Sequence, residues 1–350
     1  MPVDTISTSS TSTAAGSLPD FTRSLDLWYS DGSIVLIVEN VAFRVHTSIL
    51  ASSCEIFRDM ASIPQPKDKD DGTEKVDGCP VLRLQDSADD MKHFLKAIYK
   101  TSYFRPGVKT RFPIIAAVLR LSTKYQASQL RRRAIVALST AYPSTLSAWD
   151  ARAQHRLIPP FEGEVKAIIA LAIESDVRVI LPAVYYAASK RPLSEMIIEL
   201  LSINVDLGIR DDMIAKWIVG CEKLRHAELY NVLEFLDTSF PRPNCQNYNN
   251  CNVLLQRQAA CSIRNVAGSE PLPYQLHCYN NASTVGTSLN LCLPCRETVN
   301  KSIQDAREKI WKQLPSFFGF SDWETLIARD EINCDEDEEV QSDSPFKFLL

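Results

Sequence analysis

The chain has 350 residues, of which 45% are hydrophobic and 23% are charged, and its formal net charge is −5 at pH 7. This length suits two or three globular domains, each able to bury its own core. The acidic balance, with no basic run longer than Arg131-Arg132-Arg133, does not favour binding to nucleic acid. No stretch approaches the ~18 apolar residues of a membrane span, and the N-terminus does not resemble a signal peptide. We therefore expect an intracellular protein, in the nucleus or the cytoplasm, that does not bind membranes.

The two ends of the chain have compositions typical of disordered segments. Residues 5–17 are almost entirely Ser, Thr, Ala and Gly, and residues 330–343 are rich in Asp and Glu. Neither composition provides enough apolar surface to offset the entropy lost when a segment becomes ordered. We predict a disordered Ser/Thr-rich tail at 1–23 and an acidic disordered tail at 329–350.

The first folded region opens with strands and continues with helices. Ser33–Val38 is a run of β-branched and apolar residues and Ala42–Val45 alternates, which predicts a hairpin that turns at Asn40. Apolar residues at helical spacing follow as far as Met60, with a break at Ser52-Ser53. The sequence therefore predicts two strands followed by two short helices.

A third strand and three more helices complete this region. Pro80–Leu84 reads as a strand, and Ser87 is placed to cap a helix. Two further helices are predicted over roughly 113–125 and 128–141. The resulting order of elements predicts an α+β fold in which a small sheet is capped by helices.

This order of elements, and the residues at fixed places within it, resemble the BTB/POZ domain over residues 24–142. The wider arrangement, with Trp311–Gly319 and Trp323 near the end, is similar to the BTB-domain proteins common in fungi, of a basidiomycete-like type. The residues that carry the resemblance are Asp26, Asp31, Phe43, Val45, His46, Leu50, Ser53, Phe57, Leu84, Asp86, Phe94 and Tyr99.

The resemblance implies an interaction module. BTB domains act as homodimers, as adaptors of cullin-type ubiquitin ligases, or as parts of transcriptional repressors. Dimerising members carry an exchanged N-terminal helix and strand, whereas only the Ser/Thr-rich tract and a few residues precede Asp26 here. Cullin-binding members carry an apolar-x-Glu motif after the helix that ends here at Met60, and Ala61–Asp68 contains no Glu. Neither arrangement is therefore our first expectation.

The rest of the chain divides by composition. Apolar stripes at helical spacing predict an all-α extension over 143–240, with Pro182 and Gly220 as kinks or breaks, and C-terminal helices over 296–328. Between them lies a Cys-rich segment, 241–295. Its prolines and asparagines interrupt helical patterning, so we expect irregular structure there.

The cysteines of this segment suggest a metal site. Cys292-x2-Cys295 has a spacing that lets two thiolates face one tetrahedral ion, and Cys245 with Cys251 is the best candidate for the other half. Alternative ligands are Cys261, His277 and Cys278. Structural zinc would give shape to a segment poor in apolar residues. The alternatives are that these are buried or free thiols, or that the Cys-x2-Cys pair has a redox role.

No catalytic or organic-cofactor residues are predicted. The five histidines form no pattern with a nucleophile or a metalloprotease motif, and the 11 glycines include no phosphate-binding loop. We interpret His46 as a core or capping residue. The sequence therefore predicts a non-enzymatic adaptor or scaffold that binds other proteins through its BTB domain, or pairs as a homodimer. A transcriptional regulator with a zinc-dependent Cys-rich segment and a cullin-type ligase adaptor are the alternatives.

Overall fold

The computed structural model describes residues 21–63, 74–204, 206–267 and 288–330, without the side chains of 261–267. The chain divides after Lys100 into two compact units. Most of the two predicted tails, residues 1–20 and 331–350, lies outside the described residues. The described parts have the expected α+β class, with a small sheet and helices in the N-terminal part and helices throughout the rest.

The first unit contains a five-stranded sheet. Its order is β1-β3-β2-β5-β4, with parallel pairing of β1 to β3 and of β2 to β5, and antiparallel pairing of β2 to β3 and of β4 to β5. The strands are β1 Thr22–Trp28, β2 Ile34–Val38, β3 Val41–Val45, β4 Lys75–Val76 and β5 Cys79–Leu84.

Local sequence explains the two hairpins of this sheet. All five residues of β2 are buried, as expected of a central strand built from Ile, Val and Leu. Its hairpin with β3 turns through Glu39, at a φ of +52°. The smaller hairpin turns through Asp77 and Gly78, both at positive φ, in the Asp-Gly pairing that two-residue hairpin loops favour. This Asp-Gly pair was the available signal for β4, which the sequence reading missed.

Three helices cover the sheet of the first unit. They are α1 Thr47–Ser53, α2 Glu55–Ser62 and α3 Ala88–Tyr99. The predicted break between α1 and α2 occurs at Cys54, and Ser87 caps α3 as predicted, because its hydroxyl accepts a hydrogen bond from the backbone N–H of Asp90. The predicted β2, β3, β5 and α1–α3 are thus confirmed.

The second unit is helical in its described part. A π-helical turn at Glu228–Val232 and a 3₁₀ turn at Glu234–Leu236 continue α10. The helices are α4 Phe112–Lys124, α5 Ser128–Ser139, α6 Leu146–His155, α7 Glu164–Glu174, α8 Leu181–Ser189, α9 Leu193–Leu201, α10 Leu207–Ala227, α11 Tyr248–Ala267, α12 Leu293–Phe317 and α13 Trp323–Arg329.

Besides β4, the structure differs from the sequence-based predictions at three elements. Strand β1 begins at Thr22, inside the predicted tail, and α6 was not predicted. Helix α11 starts at Tyr248, inside the segment expected to be irregular, because Asn247 acts there as a helix cap, with its side-chain oxygen accepting a hydrogen bond from the backbone N–H of Asn250. Gly220 does not break α10. A Cβ atom there would lie 2.0 Å from Cδ1 of Phe318, so the glycine permits close packing.

Buried polar groups attach α12 and α13 to the earlier helices of the second unit. Arg307, only 2% exposed, donates from Nη2 to both carboxylate oxygens of Asp150, at 2.7 and 2.9 Å. Trp311 donates from Nε1 to the backbone oxygen of Ser144 at 2.8 Å. Asp330 was predicted to be part of a solvated tail. It is instead buried, because its carboxylate accepts hydrogen bonds from the backbone N–H groups of Arg178 and Val179.

Candidate functional site

Four cysteine sulfur atoms converge in the second unit. Cys245, Cys251, Cys292 and Cys295 place their Sγ atoms within 4.8 Å of one another. The Sγ atoms of Cys245 and Cys292 are 3.8 Å apart. The backbone N–H of Cys292 donates to Sγ of Cys251 at 3.5 Å. Two pairs of cysteines, separated by about forty residues of sequence, thus meet at one point.

Local backbone structure positions each of the four thiols. Cys245 follows Asn244, which has a φ of +59°, and Cys251 lies in the first turn of α11. Cys292 is the N-cap of α12, and Cys295 lies in the first turn of that helix. The helix N-terminus presents free N–H groups and favours negative charge. The thiols therefore gather where a negative charge is stabilised.

The electrostatics of the cluster concentrate negative charge on Cys292. Burial by itself would raise the pKa of Cys292. Hydrogen bonds to its sulfur from the backbone N–H groups of Cys295 and Gln246, and from the thiols of Cys295 and Cys251, outweigh burial and lower that pKa to about 6. Burial is the main cause of the raised pKa values of Cys251 and Cys295. The lowered pKa of Cys292 and the raised pKa values of Cys251 and Cys295 thus favour Cys292 over these two neighbours as the sulfur that holds negative charge.

The landmark residues of the first unit divide into a core group and a surface group. Phe43, Leu50 and Phe57 are at most 2% exposed and belong to the apolar core. At the surface, the carboxylate of Asp26 pairs with Nζ of Lys96 at 2.6 Å. The hydrogen bond from Lys96 is the main reason that the pKa of Asp26 is below its usual value. These residues stabilise the unit and bring no reactive groups together.

His46 lies in a small polar and aromatic cluster. It is the N-cap of α1 without a side-chain cap hydrogen bond, and its backbone N–H donates to the hydroxyl of Tyr99 at 2.7 Å. Its ring lies 3.2 Å from the same hydroxyl through Nδ1 and 3.2 Å from the Asp31 carboxylate through Nε2. Tyr29 stacks on Tyr99, with ring centroids 4.9 Å apart. His46 thus links β3 to α3, which agrees with the interpretation of a structural residue.

A comparison with protein-family models identifies this part of the chain. The model of the BTB/POZ domain matches residues 29–141. Residues 29–141 form a BTB/POZ domain. The match starts just before β2 and ends after α5, so it covers all of the predicted landmarks from Asp31 to Tyr99. It gives no support to the narrower resemblance to fungal proteins.

Searches of the curated proteins and of the solved structures returned no match. The family match is therefore confined to the BTB/POZ domain at residues 29–141. BTB/POZ domains are in general modules of protein–protein interaction rather than enzymes, and they often dimerise. The four-cysteine cluster lies outside the BTB/POZ domain, in the part of the chain that the family model does not cover.

The cluster could hold a metal ion. Four sulfur donors within 4.8 Å are a set that soft or borderline ions prefer. The alternative ligands His277 and Cys278, and the side chain of Cys261, lie outside the described residues. The structure therefore brings together the four first-choice cysteines. The sequence reading missed Gln246, whose backbone N–H contacts Cys292, and a pattern of residue types gives no signal for a backbone contact of this kind.

Among the described residues, none of the helices combines the length and the apolar character needed to cross a bilayer.

Proposed function

We propose that this protein is a non-enzymatic adaptor or scaffold that binds other proteins through its BTB/POZ domain. The observation that carries the proposal is the family match over residues 29–141. An adaptor needs two binding surfaces, one for each protein that it joins. The distribution of exposed apolar side chains supports two such surfaces.

The first unit offers an exposed apolar side chain on its edge strand. Leu25 lies on β1, an outer strand of the sheet, and its side chain is fully exposed. Ile63, just after α2, is 61% exposed. Strand β1 pairs with β3 of the same chain, so a contact at Leu25 needs no exchange of strands. We propose that Leu25 contributes to the protein contact of the BTB/POZ domain, either with a second copy or with another protein.

The second unit exposes apolar side chains on α9 and at the start of α10. Ile198 is 69% exposed and Leu207 is 64% exposed, and Leu193, Leu201 and Ile209 are each about half exposed. Exposed aliphatic groups at this density are typical of surfaces that bind proteins. We propose that this helical surface binds the second protein that an adaptor must hold.

Matched variants and light scattering test the proposal. We expect Leu25→Asp to weaken either self-association or the binding of a protein identified by affinity purification at least tenfold. Ile198→Asp should instead weaken the binding of the second protein to the surface of α9 and α10. Ile63→Asp is the control within the same unit. If Leu25→Asp and Ile198→Asp retain the same partners with the same affinity as the Ile63→Asp control, the proposed surfaces are wrong. Capture of a cullin, or binding to a defined DNA sequence, would instead favour one of the two alternative functions.

We also propose that the four cysteines bind one structural zinc ion. In a tetrahedral site with zinc–sulfur bonds of about 2.3 Å, neighbouring sulfur atoms lie about 3.8 Å apart. The distance between Sγ of Cys245 and Sγ of Cys292 is 3.8 Å, which supports this geometry. Four protein ligands leave no open position for substrate, so zinc would connect α11 to α12 and would perform no chemistry.

Metal analysis tests the zinc proposal. We expect about one zinc ion per chain in the purified protein, and a loss of both zinc and thermal stability in Cys292→Ser. Cys54→Ser, at a buried cysteine of the first unit, is the control and should retain zinc. A wild-type protein without stoichiometric zinc, or one that contains iron in its place, would contradict the proposal.

A further inference from the structure

The four sulfur atoms of the cluster differ in their access to solvent. Cys251 and Cys295 have no exposed surface. Cys245 and Cys292 are only partly buried, and their Sγ atoms are 3.8 Å apart. Each half of the cluster thus contributes one accessible sulfur and one buried sulfur. A small reagent that arrives from solvent meets the accessible pair first.

The accessible pair joins two segments that are distant in sequence. Cys245 precedes α11, and Cys292 is the N-cap of α12, 47 residues further along the chain. A covalent bond between them would connect the same two segments that the proposed metal connects. The alternative bond within Cys292-x2-Cys295 would connect only neighbouring residues, and it would need the fully buried sulfur of Cys295.

We propose that hydrogen peroxide oxidises the Cys245–Cys292 pair to a disulfide, which removes two of the four metal ligands and releases the ion. This inference rests on the proposed zinc site and adds its regulation. The sulfur of one residue attacks a peroxide oxygen, the O–O bond breaks, and a sulfenic acid and hydroxide form. The second sulfur attacks the sulfenic sulfur, so that the S–S bond forms and a second hydroxide leaves. Two protons convert the two hydroxides to water, and peroxide is reduced by the two electrons that the sulfur atoms lose.

The short distance between the two sulfur atoms favours the second step, in which the S–S bond forms. An S–S bond is about 2.05 Å long, so the two sulfur atoms must approach by less than 2 Å from their separation of 3.8 Å. Both residues lie outside the regular part of a helix, Cys245 directly after the turn at 243–244 and Cys292 at an N-cap. Side-chain rotation and a small backbone shift can therefore close the distance. The oxidised protein would keep α11 and α12 tied together after the metal has left.

The experiment follows zinc release and disulfide formation in the same sample. The zinc-loaded full-length protein is treated with hydrogen peroxide in the presence of a colorimetric zinc indicator, and its peptides are then mapped by mass spectrometry without reduction. We expect release of about one zinc ion per chain together with a Cys245–Cys292 linkage. Thiol reductant and added zinc should restore the starting form. The oxidised protein should have a higher Tm than the reduced metal-free protein.

Two variants separate this inference from the zinc proposal. Cys245→Ser and Cys251→Ser each lose one ligand, so both are compared in the metal-free form, with folding checked by circular dichroism. We expect Cys251→Ser to form the Cys245–Cys292 disulfide at least tenfold faster than Cys245→Ser forms any disulfide.

Several outcomes would overturn the inference. A zinc-loaded wild-type protein that resists peroxide would leave the zinc site standing and would refute the redox step. A Cys292–Cys295 disulfide, or oxidation to sulfinic acid without a disulfide, would refute the assigned pair. A protein that binds no zinc would refute the zinc proposal and with it metal release, whereas the peptide map would still show whether Cys245 and Cys292 join.

Discussion

Cysteine has two different surroundings in the two units of this protein. In the first unit, Cys54 is buried in the apolar core, burial raises its pKa to about 12, and Cys79 donates from Sγ to the backbone oxygen of Gly32 at 3.0 Å. In the second unit, Cys251 and Cys295 are buried beside two further thiols. Burial alone therefore does not indicate the role of a cysteine. Its neighbours decide whether it acts as a small apolar side chain or as one of a group of donors.

The two units also differ in the kinds of contact that stabilise them. The interior of the first unit consists mainly of aliphatic and aromatic side chains, and in the ion pairs between Arg23 and Asp77, Arg83 and Glu74, and Lys96 and Asp26 at least one side chain is more than a third exposed. In the second unit, polar contacts with one buried partner, such as the contact of the buried Arg307 with the partly exposed Asp150, join segments more than 150 residues apart. Apolar burial tolerates small changes in position, whereas a buried ion pair or thiol cluster requires each partner to be in place. Four predictions test this contrast.

The largest expected effect is that of removing the metal. Structural zinc contributes about 10–16 kcal/mol of binding free energy in zinc-finger peptides. We expect a zinc chelator to abolish the hydrogen-exchange protection of the amides that follow the first turns of α11 and α12, while amides in β2 and β3 keep theirs. Cys292→Ser should resemble the chelated protein and should not change further with chelator. Equal loss of protection in β2 would show that the first unit also depends on the metal.

The next largest effect is expected for Asp150→Ala. Arg307 is buried, whereas the side chain of Asp150 is 30% exposed. The change leaves a buried guanidinium without its carboxylate, so we expect the unfolding free energy to fall by about 3 kcal/mol, the lower end of the range for fully buried pairs. Urea unfolding measures the loss. Asp212→Ala is a matched control, because Asp212 pairs with Lys216 at an exposed position and should cost less than about 1 kcal/mol. Similar losses in the two variants would remove the distinction between a pair with one buried partner and a pair with two exposed partners.

A smaller effect is expected for Asp330→Ala. The backbone N–H groups of Arg178 and Val179 would lose their acceptor, at a cost of about 1–3 kcal/mol. Asp330→Asn retains an oxygen at this position and should cost less. Burial raises the pKa of Asp330 above 3.8, so this carboxyl group makes the wild type less stable as pH rises through its folded-state pKa. The Asn variant should lack that pH dependence. If the two pH profiles are parallel, the carboxyl group is not in this environment.

The smallest effect is expected at the surface of the first unit. Arg83 pairs with Glu74 through two hydrogen bonds of 3.1 and 2.8 Å, and both side chains are about half exposed. Solvent screens such a pair, so Arg83→Ala should lower the unfolding free energy by less than about 1 kcal/mol. Thermal unfolding at low and high salt checks the value. A loss above 2 kcal/mol would show that polar contacts stabilise the first unit as strongly as the second.

The sequence predicted most regular elements because their signals are local. The β-branched run at Ser33–Val38 predicted β2, and Ser87 predicted the start of α3. The spacing of Cys292 and Cys295 also selected two members of the thiol cluster correctly as a close pair. Prediction failed at β1, where the register with β3 shifts between Arg23 and Trp28 and buried residues do not alternate with exposed ones. It also failed at the start of α11, because the asparagines there indicated irregular structure.

The sequence by itself determined the BTB/POZ domain and the helical character of most of the described remainder, and it favoured four cysteines, with three alternative ligands, for a metal site. These follow from residue types and spacings that act over a few positions of the chain. Only the tertiary structure decided that Cys245 lies 3.8 Å from Cys292, that Gly220 makes room for Phe318 and that Asp330 is buried. Each of these facts depends on packing between residues that are tens to hundreds of positions apart, and periodicity contains no information about such distances.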